Sequence, residues 1–123
     1  MSGLRFTSPP PGLAPLVDFS LRAIDGAEGL YSLESTEQAG VRLFVLDASR
    51  YFTGYEPAVP LADRAGLGLE EADEPTVFVV ANPGGDGTTV NLMAPILVNP
   101  ATGAATQVIL DGGQWPMRAP LAA

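Results

Sequence analysis

The alternation of apolar and polar residues indicates short β-strands joined by turns. Residues 17–23 (VDFSLRA) alternate strictly, so an extended chain there has one apolar and one polar side. The runs 41–47 (VRLFVLD) and 76–81 (TVFVVA) are apolar on both sides, which is typical of strands with two buried faces. These three segments predict a core built from β-structure.

Turn signals divide the rest of the chain into segments of strand length. Glycine, proline and asparagine cluster at 9–12 (PPPG), 25–29 (DGAEG), 82–87 (NPGGDG) and 99–103 (NPATG). Between these turns we predict further strands at 4–7, 30–34, 88–92, 94–99 and 104–111. Turns at roughly every 8–12 residues are typical of barrels and sandwiches. We therefore predict an all-β fold, a small antiparallel β-barrel, with residues 1–123 forming one domain.

Helical potential is confined to the segment between the second and third of these strands, 41–47 and 76–81. Residues 61–67 can form about two helical turns, with Pro60 as the starting residue. The acidic run 70–74 (EEADE) can add one short turn before Pro75. The sequence thus predicts one or two short helical turns within the β-fold.

The charge of the chain is strongly negative. Fourteen acidic residues face six basic ones, all of them arginine, for a net charge of −8. Such a surface repels nucleic-acid phosphates, so direct nucleic-acid binding is not expected. It favours and accelerates encounter with a basic protein partner, although solubility alone is an equally good reason for the charge.

The composition leaves little for catalysis or metal binding. The chain has no histidine, cysteine or lysine, so Ser35 and Ser49 lack a base to activate them. The acids at 70–74 are typical of a solvated surface loop, and they lack the spacing of a calcium-binding loop. The glycine-rich 82–87 lacks the lysine of a phosphate-binding loop. We expect no catalytic, cofactor or metal site, and a function in protein binding.

No stretch near the start of the sequence has the charged, apolar and small-residue regions of a signal peptide. No apolar run approaches the roughly 20 residues needed to cross a bilayer. These two patterns predict a cytoplasmic protein.

Two motifs near the end of the chain are similar to those of a known family. Residues 89–110 (TVNLMAPILVNPATGAATQVIL) and 115–121 (WPMRAPL) resemble the T-V-N-L-K-A-P-I and Y-P-L-R-x-P segments of the flagellar assembly factor FliW family. Looser similarity extends over residues 4–121. The resemblance implies a small β-barrel without a cofactor. It also implies two protein partners, flagellin and the RNA-binding regulator CsrA: free FliW restrains CsrA, and accumulated flagellin occupies FliW and releases CsrA.

The resemblance also suggests which residues a partner contacts. The positions that match the family motifs are Asn91, Met93, Pro95, Asn99, Trp115, Pro116 and Arg118. An equally good interpretation is that these residues define turns and pack the last strands.

Several positions depart from the family pattern. Family members carry an N-terminal hairpin before the segment that matches residues 4–11, and we expect its absence to leave one sheet edge open or covered by the proline run. The family's lysine in the T-V-N-L-K motif is Met93 here. These departures motivate a second hypothesis, in which the chain is a stand-alone β-barrel scaffold that has lost both partners.

Overall fold

Strands form at nearly all the positions where the alternating pattern predicts them. The computed structural model describes residues 3–52, 54–70, 72–84, 87–110 and 115–121. Within these ranges the strands are β1 (Gly3–Phe6), β2 (Asp18–Ala23), β3 (Leu30–Ser35), β4 (Arg42–Asp47), β5 (Thr76–Gly84), β6 (Gly87–Val98), β7 (Ala104–Gln107) and β8 (Ala119–Pro120). Two short helices, α1 (Ala48–Tyr51) and α2 (Leu61–Gly66), lie between β4 and β5. The all-β prediction with short helical turns is confirmed.

The first seven strands form a closed barrel. Their order around the ring is β5-β4-β3-β2-β1-β7-β6, and β6 pairs back onto β5 to close it. The pairings are antiparallel, as predicted, except that of β1 with β7, which is parallel. Closure satisfies the backbone groups that an open sheet would leave at its edges. Strand β8 pairs with β6 only.

The expected open edge is not found at β1. One side of this strand pairs with β2, where Leu4 faces Phe19. The other side pairs with β7, where Phe6 faces Ala105. The ring therefore closes through β1 without an additional hairpin, and the prediction of an open or proline-covered edge at this strand is wrong.

The barrel interior is filled by the apolar side of each strand. Phe19, Leu33, Val45 and Ile96 are each about 1 % exposed, and they come from four different strands. The ring of Phe6 meets that of Phe19 edge to face at 5.3 Å between centroids. Burying each such side chain stabilises the fold by about 1.5–3 kcal/mol, so this interior cluster provides a large share of the driving force.

Four features differ from the sequence prediction. Strand β7 ends at Gln107, short of the predicted end at residue 111. Strand β5 continues to Gly84 and β6 begins at Gly87, so the predicted six-residue turn at 82–87 is largely a hairpin ladder, with residues 85–86 outside the described ranges. The two strands predicted at 88–92 and 94–99 are one strand, β6. Helix α1 was not predicted; it begins where the Asp47 carboxylate accepts a hydrogen bond from the backbone N–H of Ser49, at 3.0 Å.

The segment between α1 and β5 covers one side of the barrel wall. Helix α2 begins after Pro60, as predicted, and is followed by Leu67 and Leu69, which are buried. These leucines pack against Leu97, Val108 and Leu110 in a second layer of core. At the acidic run, the N–H of Asp73 donates to the carbonyl of Glu70 at 3.0 Å, which makes a turn there and not a helix.

Candidate protein-binding surface

Strand β6 contains a large bulge at the N-L-M-A-P motif. Phe78 of β5 faces Ile96, whereas Val80 faces Asn91, so the single residue between them on β5 lies opposite the four residues 92–95. Pro95 has no N–H to donate to a ladder, and it lies inside this bulge. The bulge turns residues 92–95 away from β5 and towards the last part of the chain.

The backbone of the bulge is held from within the motif. The Oδ1 atom of Asn91 accepts hydrogen bonds from the N–H groups of Met93 at 3.0 Å and Ala94 at 3.2 Å. An asparagine side chain that binds the backbone two and three residues ahead stabilises a turn in place of a ladder. Asn91 is therefore a structural residue of the bulge through its oxygen atom.

Two side chains from elsewhere in the fold hold the bulge from outside. The Tyr55 hydroxyl donates to the carbonyl of Leu92 at 2.6 Å. The Gln107 amide donates through Nε2 to the carbonyl of Ala94 at 3.0 Å. These bonds satisfy carbonyl groups that face no strand, and so they fix the bulge relative to β7 and to the segment after α1.

Backbone of the last part of the chain completes the same edge of β6. Residues 108–110 run along the bulge, where Val108 donates to the Pro95 carbonyl and Leu110 donates to the Met93 carbonyl. Beyond the undescribed residues 111–114, the carbonyl of Pro116 accepts from the N–H of Leu92 at 3.0 Å. Strand β8 then pairs with residues 89–90 of β6. We call the bulge 91–95 together with residues 115–121 the tail surface.

Trp115 attaches this tail to the barrel wall. Its ring meets that of Tyr55 edge to face, with centroids 4.7 Å apart. It is half-buried and packs against two apolar layers of the core. One contains Val90 and Leu92, and the other contains Val108 and Leu110. An aromatic ring shared by two apolar layers positions the residues that follow it.

The seven residues predicted to contact a partner differ in exposure. Pro116 and Arg118 are exposed, and Asn91, Met93 and Trp115 are half-buried, all within or beside the tail surface. Pro95 and Asn99 are buried and offer no area to a partner. Asn99 lies at the other end of β6, where its Nδ2 atom donates to the carbonyl of Leu67 at 2.9 Å.

Two exposed apolar residues were missed by the sequence analysis. Met117 is 53 % exposed in the tail, and Ile109 is 57 % exposed beside the bulge. Alternation predicts the exposure of Ile109, since its neighbours Val108 and Leu110 are buried. No sequence signal distinguishes Met117 from a buried residue. Both add apolar area of the kind that protein interfaces use.

The segment 56–74 carries much of the negative charge. It contains six acids and one arginine, which is −5 of the net −8. Glu56, Glu70, Asp73 and Glu74 are exposed. The arginine, Arg64, donates to the carbonyls of Glu70 and Asp73 and so holds the acidic turn together. Through Val59, Leu67 and Leu69, this segment packs in the same apolar cluster as Trp115.

Within the described ranges, no three side chains of the metal-binding types lie close enough together to hold an ion. None of the described helices is long and apolar enough to cross a membrane.

The Tyr55 hydroxyl, which binds the bulge, makes the stability of the protein depend on pH. Burial raises the pKa of Tyr55 to about 12. The folded protein therefore keeps a proton that the unfolded chain loses near pH 10, so stability from this group is complete below pH 10 and is lost as the pH rises through about 12. Chemical denaturation between pH 9 and 12 is expected to show this loss, and Tyr55→Phe should remove the Tyr55 part of it. An unchanged pH dependence in Tyr55→Phe would contradict the assignment.

Comparison with solved structures identifies the class of protein to which this fold belongs. The barrel superposes on a crystal structure of the flagellar assembly factor FliW with a TM-score of 0.87, at 23 % identity, covering 99 % of this chain and 86 % of the other. The chain thus has the β-barrel architecture of that structure.

Sequence comparison then gives the family. The family described as FliW protein matches residues 2–121. The FliW of Syntrophotalea carbinolica is 35 % identical over 95 residues, which is 76 % of this chain and 68 % of the relative. That of Symbiobacterium thermophilum is 31 % identical over 113 residues, 89 % and 82 % of the two chains. That of Thermotoga neapolitana is 32 % identical over 111 residues, 88 % and 74 %. The chain belongs to the FliW family of flagellar assembly factors, as its motifs indicated.

Proposed function

We propose that this protein is a cytoplasmic binding regulator that couples flagellin synthesis to flagellar assembly. In this proposal it binds flagellin, and it also binds and restrains a CsrA-type RNA-binding repressor of flagellin translation. Flagellin that accumulates occupies the protein and frees the repressor. The observation that carries the proposal is the family match over residues 2–121, which spans every described strand of the barrel. The proposal includes no catalytic step and no cofactor.

The distribution of charge supports a basic partner. A protein that binds RNA has a positively charged surface, and the acidic segment 56–74 offers a complementary one. Complementary charge raises the association rate, and this effect weakens as salt screens it. We therefore expect binding of the CsrA-type regulator to slow strongly between about 50 and 300 mM salt.

We propose that the tail surface belongs to the partner-binding area. Met93, Trp115, Pro116 and Arg118 supply its accessible atoms, together with the amide nitrogen of Asn91. Pro95 contributes by shaping the bulge, whereas the buried Asn99 holds the other end of β6 and lies outside the tail surface. A rigid, mixed apolar and polar patch of this kind suits protein recognition.

Isothermal titration of the full chain with purified flagellin, and separately with the CsrA-type protein of the same organism, tests the proposal. We expect a Kd in the micromolar range or tighter for each, and displacement of the regulator by flagellin. Circular dichroism establishes that the chain is folded in each titration. No binding to either protein by the folded chain would favour the scaffold hypothesis.

Restoring the family's lysine tests the tail surface. Met93 is half-buried at the bulge, so a lysine there can reach water and adds a positive charge without an unpaired buried group. We expect Met93→Lys to change the affinity for at least one partner by about threefold or more while the melting temperature stays within about 2 °C. Ala39→Lys, an equal charge change at an exposed position between β3 and β4, is the matched control. Equal affinities for Met93→Lys and the unchanged chain would count against a role for this position.

A further inference from the structure

We infer that the concavity beside Arg118 recognises a side-chain carboxylate of a partner protein, and that this partner is flagellin. The inference rests on the proposed function and adds the chemistry of one contact. The concavity has a volume of about 580 Å³ and lies between the β5–β6 hairpin and the tail. Its lining includes Asn82, Thr89, Asn91, Met117 and Arg118.

The use of arginine elsewhere in the chain sets Arg118 apart. Five of the six arginines have partners within the fold. Three form ion pairs: Arg5 with Asp18 at 3.7 Å, Arg22 with Glu34 at 4.0 Å, and Arg50 with Glu28. Arg64 donates to two carbonyls, and the guanidinium of Arg42 lies 5.2 Å from the ring centroid of Phe44. Arg118 is exposed and makes no ion pair or hydrogen bond with the other described residues. Among the arginines, and with respect to the described residues alone, Arg118 is thus the one whose guanidinium has no partner in the fold.

The neighbours of Arg118 offer further hydrogen-bond donors. The oxygen of the Asn91 amide is already used by the N–H groups of Met93 and Ala94, which leaves its Nδ2 to donate. Thr89 contributes a hydroxyl and Asn82 an exposed amide. A planar guanidinium with adjacent N–H and O–H donors matches a carboxylate, which accepts through both oxygens.

The apolar part of the lining indicates which type of partner residue lies next to the carboxylate. Met117 is 53 % exposed at the edge of the concavity, and Pro83 lies on the hairpin side. A thioether adapts its shape to an apolar side chain of a partner. The fitting segment therefore carries an aspartate or glutamate beside an apolar residue.

Charge complementarity indicates which of the two proposed partners binds at the concavity. A positively charged RNA-binding surface is repelled by Arg118 and attracted by the acidic segment 56–74. A carboxylate-bearing segment is repelled by most of this −8 chain and attracted at Arg118. The concavity consequently suits flagellin, and the acidic segment suits the regulator.

Titration calorimetry of the full chain with flagellin tests the inference. Arg118→Gln should weaken binding about tenfold or more, because a charge-assisted contact is lost. Arg118→Lys should lose a smaller factor, since it keeps the charge but not the two-pronged donor geometry. Arg22→Gln changes the net charge equally on β2 and should stay within about twofold. Affinity for the CsrA-type regulator should not fall in Arg118→Gln.

The same titration distinguishes failure of the carboxylate site from failure of the proposed function. Flagellin binding that survives Arg118→Gln overturns the carboxylate site and leaves the proposed function standing. Absence of flagellin binding by the unchanged, folded chain overturns both. A flagellin variant lacking the recognised carboxylate should lose as much affinity as Arg118→Gln, and the two changes together should cost no more than either alone.

An ion pair within the chain is the competing assignment. Asp86, outside the described ranges, lies in the sequence between two residues that line the concavity, Gly84 and Gly87. If Asp86 neutralises Arg118, then Asp86→Asn and Arg118→Gln should lower the melting temperature equally and leave flagellin affinity unchanged. That pattern would overturn the inference. Tighter flagellin binding by Asp86→Asn, with loss in Arg118→Gln, would support it.

Discussion

Replacing Asn99 with alanine is expected to lower the free energy of unfolding by about 2–4 kcal/mol. The side chain is 7 % exposed and joins two parts of the chain that are far apart in sequence. Its Nδ2 atom donates to the carbonyl of Leu67, and its Oδ1 atom accepts from the N–H of Ala101 at 3.0 Å. Alanine leaves the buried Leu67 carbonyl without a partner and opens a gap between the barrel and the segment after α2.

Urea denaturation of Asn99→Ala measures this loss. Thr102→Ala is the matched control, because Thr102 lies in the same turn and accepts a backbone hydrogen bond at 3.2 Å, but is exposed. We expect the control to lose less than about 1 kcal/mol. Similar losses for the two variants would show that burial of the Asn99 amide contributes nothing special. Flagellin affinity per folded molecule should be unchanged in Asn99→Ala, since the side chain is not accessible.

Replacing Gly103 with alanine is also expected to cost about 2–4 kcal/mol, for two reasons that add. Gly103 has a φ of +82°, a conformation in which a Cβ atom is strained. A Cβ there would lie 2.5 Å from the carbonyl oxygen of Gly3, which is far inside contact distance. Since the Gly103 carbonyl also accepts from the N–H of Arg5 at 2.9 Å, the start of β1 cannot move away without losing that bond.

Gly26→Ala isolates the close approach from the backbone strain. Gly26 has a φ of +78°, and the space around a Cβ there is open. Its replacement should cost about 1 kcal/mol from the conformation alone. The difference between the two variants in urea denaturation measures the contact of β1 with the turn. Equal costs would mean that β1 adjusts freely.

The predictions for Asn99 and Gly103 concern one turn, the N-P-A-T-G motif at 99–103. The carbonyl of Asn99 accepts from the N–H groups of Thr102 and Gly103, so the turn closes on itself. It also contacts the segment after α2 through Leu67 and the first strand through Gly3. The sequence predicted a turn at 99–103 and named Asn99 as a candidate contact for a partner. The buried asparagine and the crowded glycine show a structural role: the turn joins β6, β7 and β1 where the ring closes.

The sequence predicted the strands of the barrel well because the signal for each is local. The alternation in residues 17–23 places Phe19 and Leu21 in the core, as found. The turn at 99–103 and the helix after Pro60 follow from their asparagine, glycine and proline residues. The pattern did not predict that β6 is continuous through Pro95, because a proline in a ladder normally ends a strand. The bulge around it is satisfied by groups distant in sequence, among them Tyr55 and Gln107.

The candidate surface was predicted in part. The motif resemblance named residues of the bulge and tail, and five of them do lie at one surface. It could not separate those from Pro95 and Asn99, since a motif records which residues recur and not which are accessible. Nor could it identify Met117 or the lack of a described partner for Arg118, because both depend on what folds against the tail.

The sequence by itself determined the class of fold, the family motifs and the strong negative charge, since each depends on residue type and short-range order. Only the tertiary structure decided how the ring closes. The pairing of β1 with β7 joins residues about a hundred positions apart, and no local pattern encodes a contact at that separation. The same is true of the concavity at Arg118, which exists because the tail pairs with β6 beside the β5–β6 hairpin. Accessibility is a property of the packed chain, and it becomes defined only when the distant segments meet.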